Sequence, residues 1–214
     1  FEKVNIAALG DFIESFTGLN HTNSWKSLEY GGYGSSSIKI AYKMIGDFLR
    51  SIKGLDQCYM VSGNHDRTSI KADLDNEGAG ADLLAFMLSE KGFPVQYAPN
   101  VQAHTIDKVR YIMSHGHLGL SKKGVHPLAW SYGQQGIYNL SLTGHFHSRG
   151  GSREIIQAET VLEDSIDLRH IVCPPLFTGN SYSAQGGWSS TAGITICTRP
   201  AGIHVPNVFD HAIN

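Results

Sequence analysis

Four short apolar runs in this chain end in polar clusters of one chemical kind, and that repetition limits its fold more than any other feature. Val4–Leu9 runs into Gly10-Asp11, and Cys58–Val61 runs into Ser62-Gly63-Asn64-His65-Asp66. Val109–Met113 runs into Ser114-His115-Gly116-His117, and Leu140–Thr143 into Gly144-His145-Phe146-His147. Apolar runs this short, bounded by turn residues, read as buried strands. In open α/β sheets, sites form outside the carboxyl ends of the strands. Four strands ending in Asp, Asn/His, His and His/His therefore predict convergence of those side chains. Carboxylate, amide and imidazole donors together suit Mn²⁺, Fe²⁺ or Zn²⁺ better than Ca²⁺ or a thiolate site. A glycine in each cluster lets the backbone turn sharply and approach closely.

The segments between these runs predict the rest of the fold. Ser35, Ser36 and Ser37 offer N-caps for a helix reaching about Lys53, closed by Gly54. Ile38, Ala41, Ile45, Phe48, Leu49 and Ile52 fall on one face of that helix. Ala81–Lys91 reads as a second helix, ended by Gly92. Beyond Phe93 the texture is that of strands, at Val95–Ala98, Val101–Ile106, Ile155–Val161, Leu168–Cys173, Gly193–Cys197 and Ile203–Val205. Strand–helix alternation followed by a strand-rich half predicts an α/β fold of mixed sheets with helices outside. No repeat, low-complexity stretch or linker divides the 214 residues, so a single domain is expected.

Composition narrows the functional classes. A net charge of −2 gives no basic field of the kind that tracks nucleic-acid backbones, although a local basic cleft remains open. Eleven histidines are many for this length, and imidazole is the commonest metal ligand. Cys58, Cys173 and Cys197 are few and far apart, which excludes a disulfide framework and a C-x-x-C zinc site and favours an intracellular compartment. No apolar stretch reaches the roughly 18 residues of a membrane span.

The order of the four clusters resembles the calcineurin-like metallophosphoesterase superfamily, whose motifs run D-x-H, GD, GNH[DE], H and GHxH. The last four are present here in order, from Gly10 to His147. The resemblance implies an α/β sandwich of two mixed β-sheets flanked by helices, two divalent metal ions and hydrolysis of a phosphoester. Mn²⁺ is the first choice of ion, with Fe²⁺ and Zn²⁺ as alternatives. The resemblance makes Asp11 the carboxylate bridging the ions. Asn64, His115 and His145 complete the second ion, and His147 belongs to the first. His65 acts on the leaving-group oxygen as acid or charge stabiliser, with Asp66 orienting it. Arg67 directly follows the motif and suits a phosphate oxygen, or else a salt bridge. The Ser-His-Gly-His turn is similar to bacterial and phage phosphodiesterases and SbcD-type nucleases. A phosphodiesterase acting on nucleic acid is therefore expected ahead of a small-molecule or nucleotide phosphodiesterase or phosphatase.

One motif departs from the pattern. No Asp-x-His stands anywhere in the sequence. The first ion is thus expected to be half built here, with the missing strand lying upstream or on a second polypeptide. The same gap keeps a different class open, a catalytically inactive scaffold of this fold. His117 is read as a strand-end histidine bound to backbone ahead of one facing the cleft, the loop Phe177–Trp188 as packing ahead of substrate contact, and the loop around Trp25–Tyr33 as either.

Overall fold

The Val4–Ala8 run forms strand β1, which pairs in parallel with β2 (Leu55–Val61), and β2 pairs in parallel with β3 (Val95–Ala98). Helix α1 (Ser35–Ser51) crosses from β1 to β2, and α2 (Ala79–Glu90) from β2 to β3. The computed structural model describes residues 2–14, 16–17, 32–69, 75, 77–118, 126–146, 150–157, 165–176, 192–200 and 202–213. Contacts group the chain into two units, Phe1–Gln102 and Ala103–Asn214.

In the first unit the sheet order β1-β2-β3 follows the sequence. Right-handed crossovers in one direction place both helices on the same face of the sheet. Ile38, Ala41 and Leu49 of α1 and Leu84, Ala85 and Leu88 of α2 are buried with Cys58 and Met60 of β2 and Ile13. The inner stripe of α1 matches the expected face except at Phe48, which is 48% exposed. The expected serine cap is also replaced. Gly34 is the N-cap, and the Ser37 hydroxyl donates back to its carbonyl at 2.6 Å. Burial pushes the Cys58 thiol up to about 12, as for a core thiol.

The second unit holds a sheet of order β4-β5-β6-β8-β7, formed by Val101–Ile106, Val109–Ser114, Tyr138–Thr143, Ser165–Val172 and Gly150–Gln157 respectively. β5, β6 and β8 run parallel, while β7 is antiparallel to β8, so the sheet is mixed. A two-residue turn joins β4 to β5, with Asp107 at φ 48° and Lys108 at φ 67°, the left-handed pair that tight hairpins need. β9 (Gly193–Thr198) and β10 (Asn207–Ala212) form an antiparallel pair. The strand expected at Ile203–Val205 is not observed there; the strand begins four residues later, at Asn207. Short helix α3 (His126–Tyr132) was not expected, because seven residues are too few to show a helical period. The α/β class read from the sequence is the class observed, with three sheets among the described residues. No described helix is long and apolar enough to cross a membrane.

Candidate metal centre

All four motifs stand directly after parallel strands. β1 and β2 run in parallel, so Asp11 and the Asn64-His65-Asp66 turn leave the same edge of their sheet. β5 and β6 also run in parallel, so His115 and His145 leave one edge of theirs.

In the first unit, the backbone after β1 is bent hard. Gly10 has φ 88°, and Asp11 follows at φ 56°, a left-handed conformation that few non-glycine residues take. Asp66 holds this bend. Its fully buried carboxylate accepts N–H bonds from Asp11 at 2.9 Å, Phe12 at 2.8 Å, Ile13 at 3.2 Å and Gly63 at 2.7 Å. The Asp11 side chain in turn accepts the His65 backbone N–H at 2.9 Å through Oδ1. The two turns are pressed together so closely that a Cβ on Gly63 would stand 2.0 Å from Asp11 Oδ1. Glycine is therefore required at 63 by contact.

His65 presents its Nδ1 to Glu14 Oε1 at 2.9 Å. Burial opposes the charged ring most strongly. The Glu14 hydrogen bond and the charges of Asp11, Glu14 and Asp66 together outweigh it, and the pKa is raised above the ordinary value. The sequence reading gave the ring-orienting role to Asp66. The geometry gives it to Glu14, while Asp66 fastens the backbone of both turns. Glu14 stands three residues after Asp11, and the only signal for it was an acid in the first turn beyond Gly10-Asp11.

This pair predicts a pH effect in metal-free protein. A histidine whose folded pKa is raised adds stability in full below its unfolded value of about 6.5, and that stability is lost as pH rises through the folded pKa. Glu14→Gln should therefore cost more stability at pH 5.5 than at pH 9, and should lower the His65 titration midpoint. Thermal melts at the two pH values and an NMR titration of the ring measure both. An unchanged His65 midpoint would remove Glu14 from the role.

In the second unit, His145 sits at φ 59° between Gly144 and Phe146, and the Phe146 N–H bonds the Gly144 carbonyl at 2.7 Å. That is a γ-turn with positive φ, a strained form. It brings His145 Nδ1 to 3.2 Å from His115 Nε2, with His115 only 2% exposed. The His117 ring lies 5.3 Å from that of His115 and 6.2 Å from that of His145, centroid to centroid. Three imidazoles thus gather at one edge, with His117 beside the two pattern ligands His115 and His145.

The other expected residues divide as follows. Asn64 is half-buried in the turn after β2. Arg67 is 8% exposed, so little of it is open to a substrate. His147 and the loops around Trp25–Tyr30 and Phe177–Trp188 lie outside the described residues.

No family model matches the chain, and no curated protein matches it. Among solved structures it is similar to a single and a double mutant of Vps29 from Entamoeba histolytica. Each is 8% identical, with 80% of this chain and 89% of that chain covered, at TM-scores of 0.38 and 0.39. It is also similar to a conserved uncharacterized protein, a predicted phosphoesterase, from Streptococcus pneumoniae. That protein is 10% identical, with 93% of this chain and 95% of that chain covered, at a TM-score of 0.36. Similarity at this level does not speak to chemistry, which rests on the residues themselves.

Proposed function

We propose that residues 1–214 work as one metallophosphoesterase-type domain, a metal-dependent phosphodiesterase with nucleic acid as the first candidate substrate. The observation that carries this reading is the 3.2 Å between His115 Nε2 and His145 Nδ1. Two imidazole nitrogens bound to one tetrahedral ion at about 2.0–2.1 Å stand roughly 3.3–3.4 Å apart, so the pair fits a shared first-row cation. On this reading Asp11, Asn64, His115 and His145 hold one ion. Asp11 and His147 hold a second, together with an Asp-x-His from another polypeptide. Mn²⁺ is the preferred ion, ahead of Fe²⁺ and Zn²⁺. Bound ions would supply Lewis-acid activation of water and neutralise charge on the phosphoryl oxygens.

The chain's own groups supply the rest. Glu14 accepts the Nδ1 hydrogen of His65 and favours the imidazolium. The other ring nitrogen is then the proton source for the leaving oxygen. Asp66 keeps Asp11 and His65 in register through the backbone. The choice of a phosphodiester in nucleic acid rests on the Ser-His-Gly-His turn.

The test is hydrolysis of bis(p-nitrophenyl) phosphate and of single-stranded DNA in Mn²⁺, with and without an added polypeptide that carries Asp-x-His. His65→Ala should lower turnover by roughly 10²–10⁴-fold with metal content nearly unchanged. Loss of metal in a folded His65→Ala protein would make the residue a ligand. Cleavage of the small ester alone would move the substrate away from nucleic acid. Metal binding without hydrolysis would leave a scaffold.

A further inference from the structure

Three described histidines stand where β5 and β6 end, and the reading above uses two of them. His115 and His145 bring their nitrogens to 3.2 Å and serve the ion. The third, His117, has its ring centre 5.3 Å from that of His115 and 6.2 Å from that of His145, against 5.0 Å between those two. The three rings are therefore nearly equidistant. No pair is stacked, because the interplanar angles are 53°, 67° and 60°. Rings that merely fill space beside one another have no need of three imidazoles.

The backbone accounts for the third ring. β5 closes at Ser114, and Gly116 follows at φ 103°, a conformation that glycine takes without strain. That glycine turns the chain between the two histidines, and His117 comes to lie beside His115 at the strand end. Exposure then separates them. His115 is 2% exposed, enclosed as a ligand would be. His117 is half-buried, and Leu118 after it is 52% exposed. A molecule arriving from solvent can therefore meet the His117 ring, which it cannot do at His115.

The chemistry of that molecule follows from the neighbours. A phosphoryl group held by the ion carries more oxygens than the ion binds. Those left over lose water on entering the site and need donors in its place. An imidazole with hydrogen on one nitrogen is such a donor, and the neutral ring suffices.

We propose that His117 is a substrate-binding residue of this centre, its imidazole N–H donating a hydrogen bond to a non-bridging oxygen of the ion-bound phosphoryl group. This rests on the reading in which His115 and His145 hold one ion, and it adds a contact that the motif pattern does not supply.

The probes are Mn²⁺ alone and inorganic phosphate. Calorimetry reads Mn²⁺ binding, and broadening of the phosphorus-31 resonance reads phosphate on the Mn²⁺-loaded chain. His117→Ala and His117→Phe should melt with wild type and bind Mn²⁺ as wild type does. Both should bind phosphate roughly 10–100-fold more weakly, the loss expected for one hydrogen bond to a charged group. The phenylalanine variant keeps a ring in place, so it separates the donor from simple packing. Wild-type phosphate affinity in His117→Phe would overturn the proposal and leave His117 as packing. Loss of Mn²⁺ in a folded His117→Ala protein would overturn it too, by making His117 a ligand. A wild-type chain that binds Mn²⁺ but no phosphate would overturn the contact and leave the ion reading intact. A wild-type chain that binds no Mn²⁺ would overturn the ion reading, and this contact with it.

Discussion

Asp66→Ala should lower the melting temperature by on the order of 10 °C and abolish activity together with it. The carboxylate is fully buried and accepts four backbone N–H groups, from Asp11, Phe12, Ile13 and Gly63. Removing it strands those donors in a closed interior, where unpaired groups cost about 1–3 kcal/mol each before relaxation. Water entering the space offsets part of that, and about 3–5 kcal/mol is the expected net loss for a buried, fully bonded charge. In a chain of this size, each kcal/mol shifts the transition by about 2–4 °C. The loss of function has a separate cause. Asp11 holds φ 56° because its N–H and those of the next two residues are gathered on Asp66. Without that anchor the backbone relaxes and Asp11 leaves its place. Asp66→Asn keeps one acceptor oxygen and should fall between wild type and alanine. Thermal melts and amide exchange at Asp11–Ile13 measure this. A full melting temperature in Asp66→Ala would show that the two turns are held by other contacts.

The strand-end placement of the motifs was legible from the sequence because two local signals agreed. Short apolar runs mark buried strands, and glycine beside a polar residue marks where they stop. Leu140–Thr143 and Gly144-His145 show how far this reaches. The run predicted the strand and its end, and the glycine predicted the turn. The positive φ of His145 itself was not foreseen, since positive φ is uncommon at any non-glycine residue, histidine included.

What escaped the sequence depends on distance across the fold. Glu14 reaches His65 from 51 positions away, and no spacing rule connects them. Asp66 stands next to His65, and the family resemblance implied that it orients the ring. The side chains of consecutive residues in a tight turn point apart, and Asp66 turns inward to the backbone of another strand end. Phe48 was assigned to the core by helical period alone. A period cannot separate one broad apolar face from two narrow ones, and α1 carries a second, exposed one at Ile40, Met44 and Phe48.

His145→Gly should weaken divalent-metal binding by at least 10²-fold and leave the protein as stable as before, or more stable by up to about 1 kcal/mol. The two effects come from one geometry. An L-residue in the left-handed region carries a penalty of roughly 1–2 kcal/mol that glycine avoids. Glycine gives back part of that gain through the larger entropy of its unfolded chain. His145 stands at φ 59° inside a γ-turn, so the wild-type chain bears this strain at a position where most residues would relieve it. Strain of this kind persists where it serves a site. Here it sets Nδ1 of His145 at 3.2 Å from Nε2 of His115, the spacing at which one ion takes both. On the proposed reading, removing the ring takes away a ligand, for which the loss should exceed the 10–100-fold typical of outer-shell changes. His145→Ala provides the control, since it loses the ring and keeps the strain. It should bind metal as poorly as the glycine variant and melt below it. Calorimetric titration with Zn²⁺ or Mn²⁺, beside thermal melts of the three metal-free proteins, reads both quantities. Retention of wild-type affinity in His145→Gly would remove His145 from the ligand set, and with it the reason for its backbone.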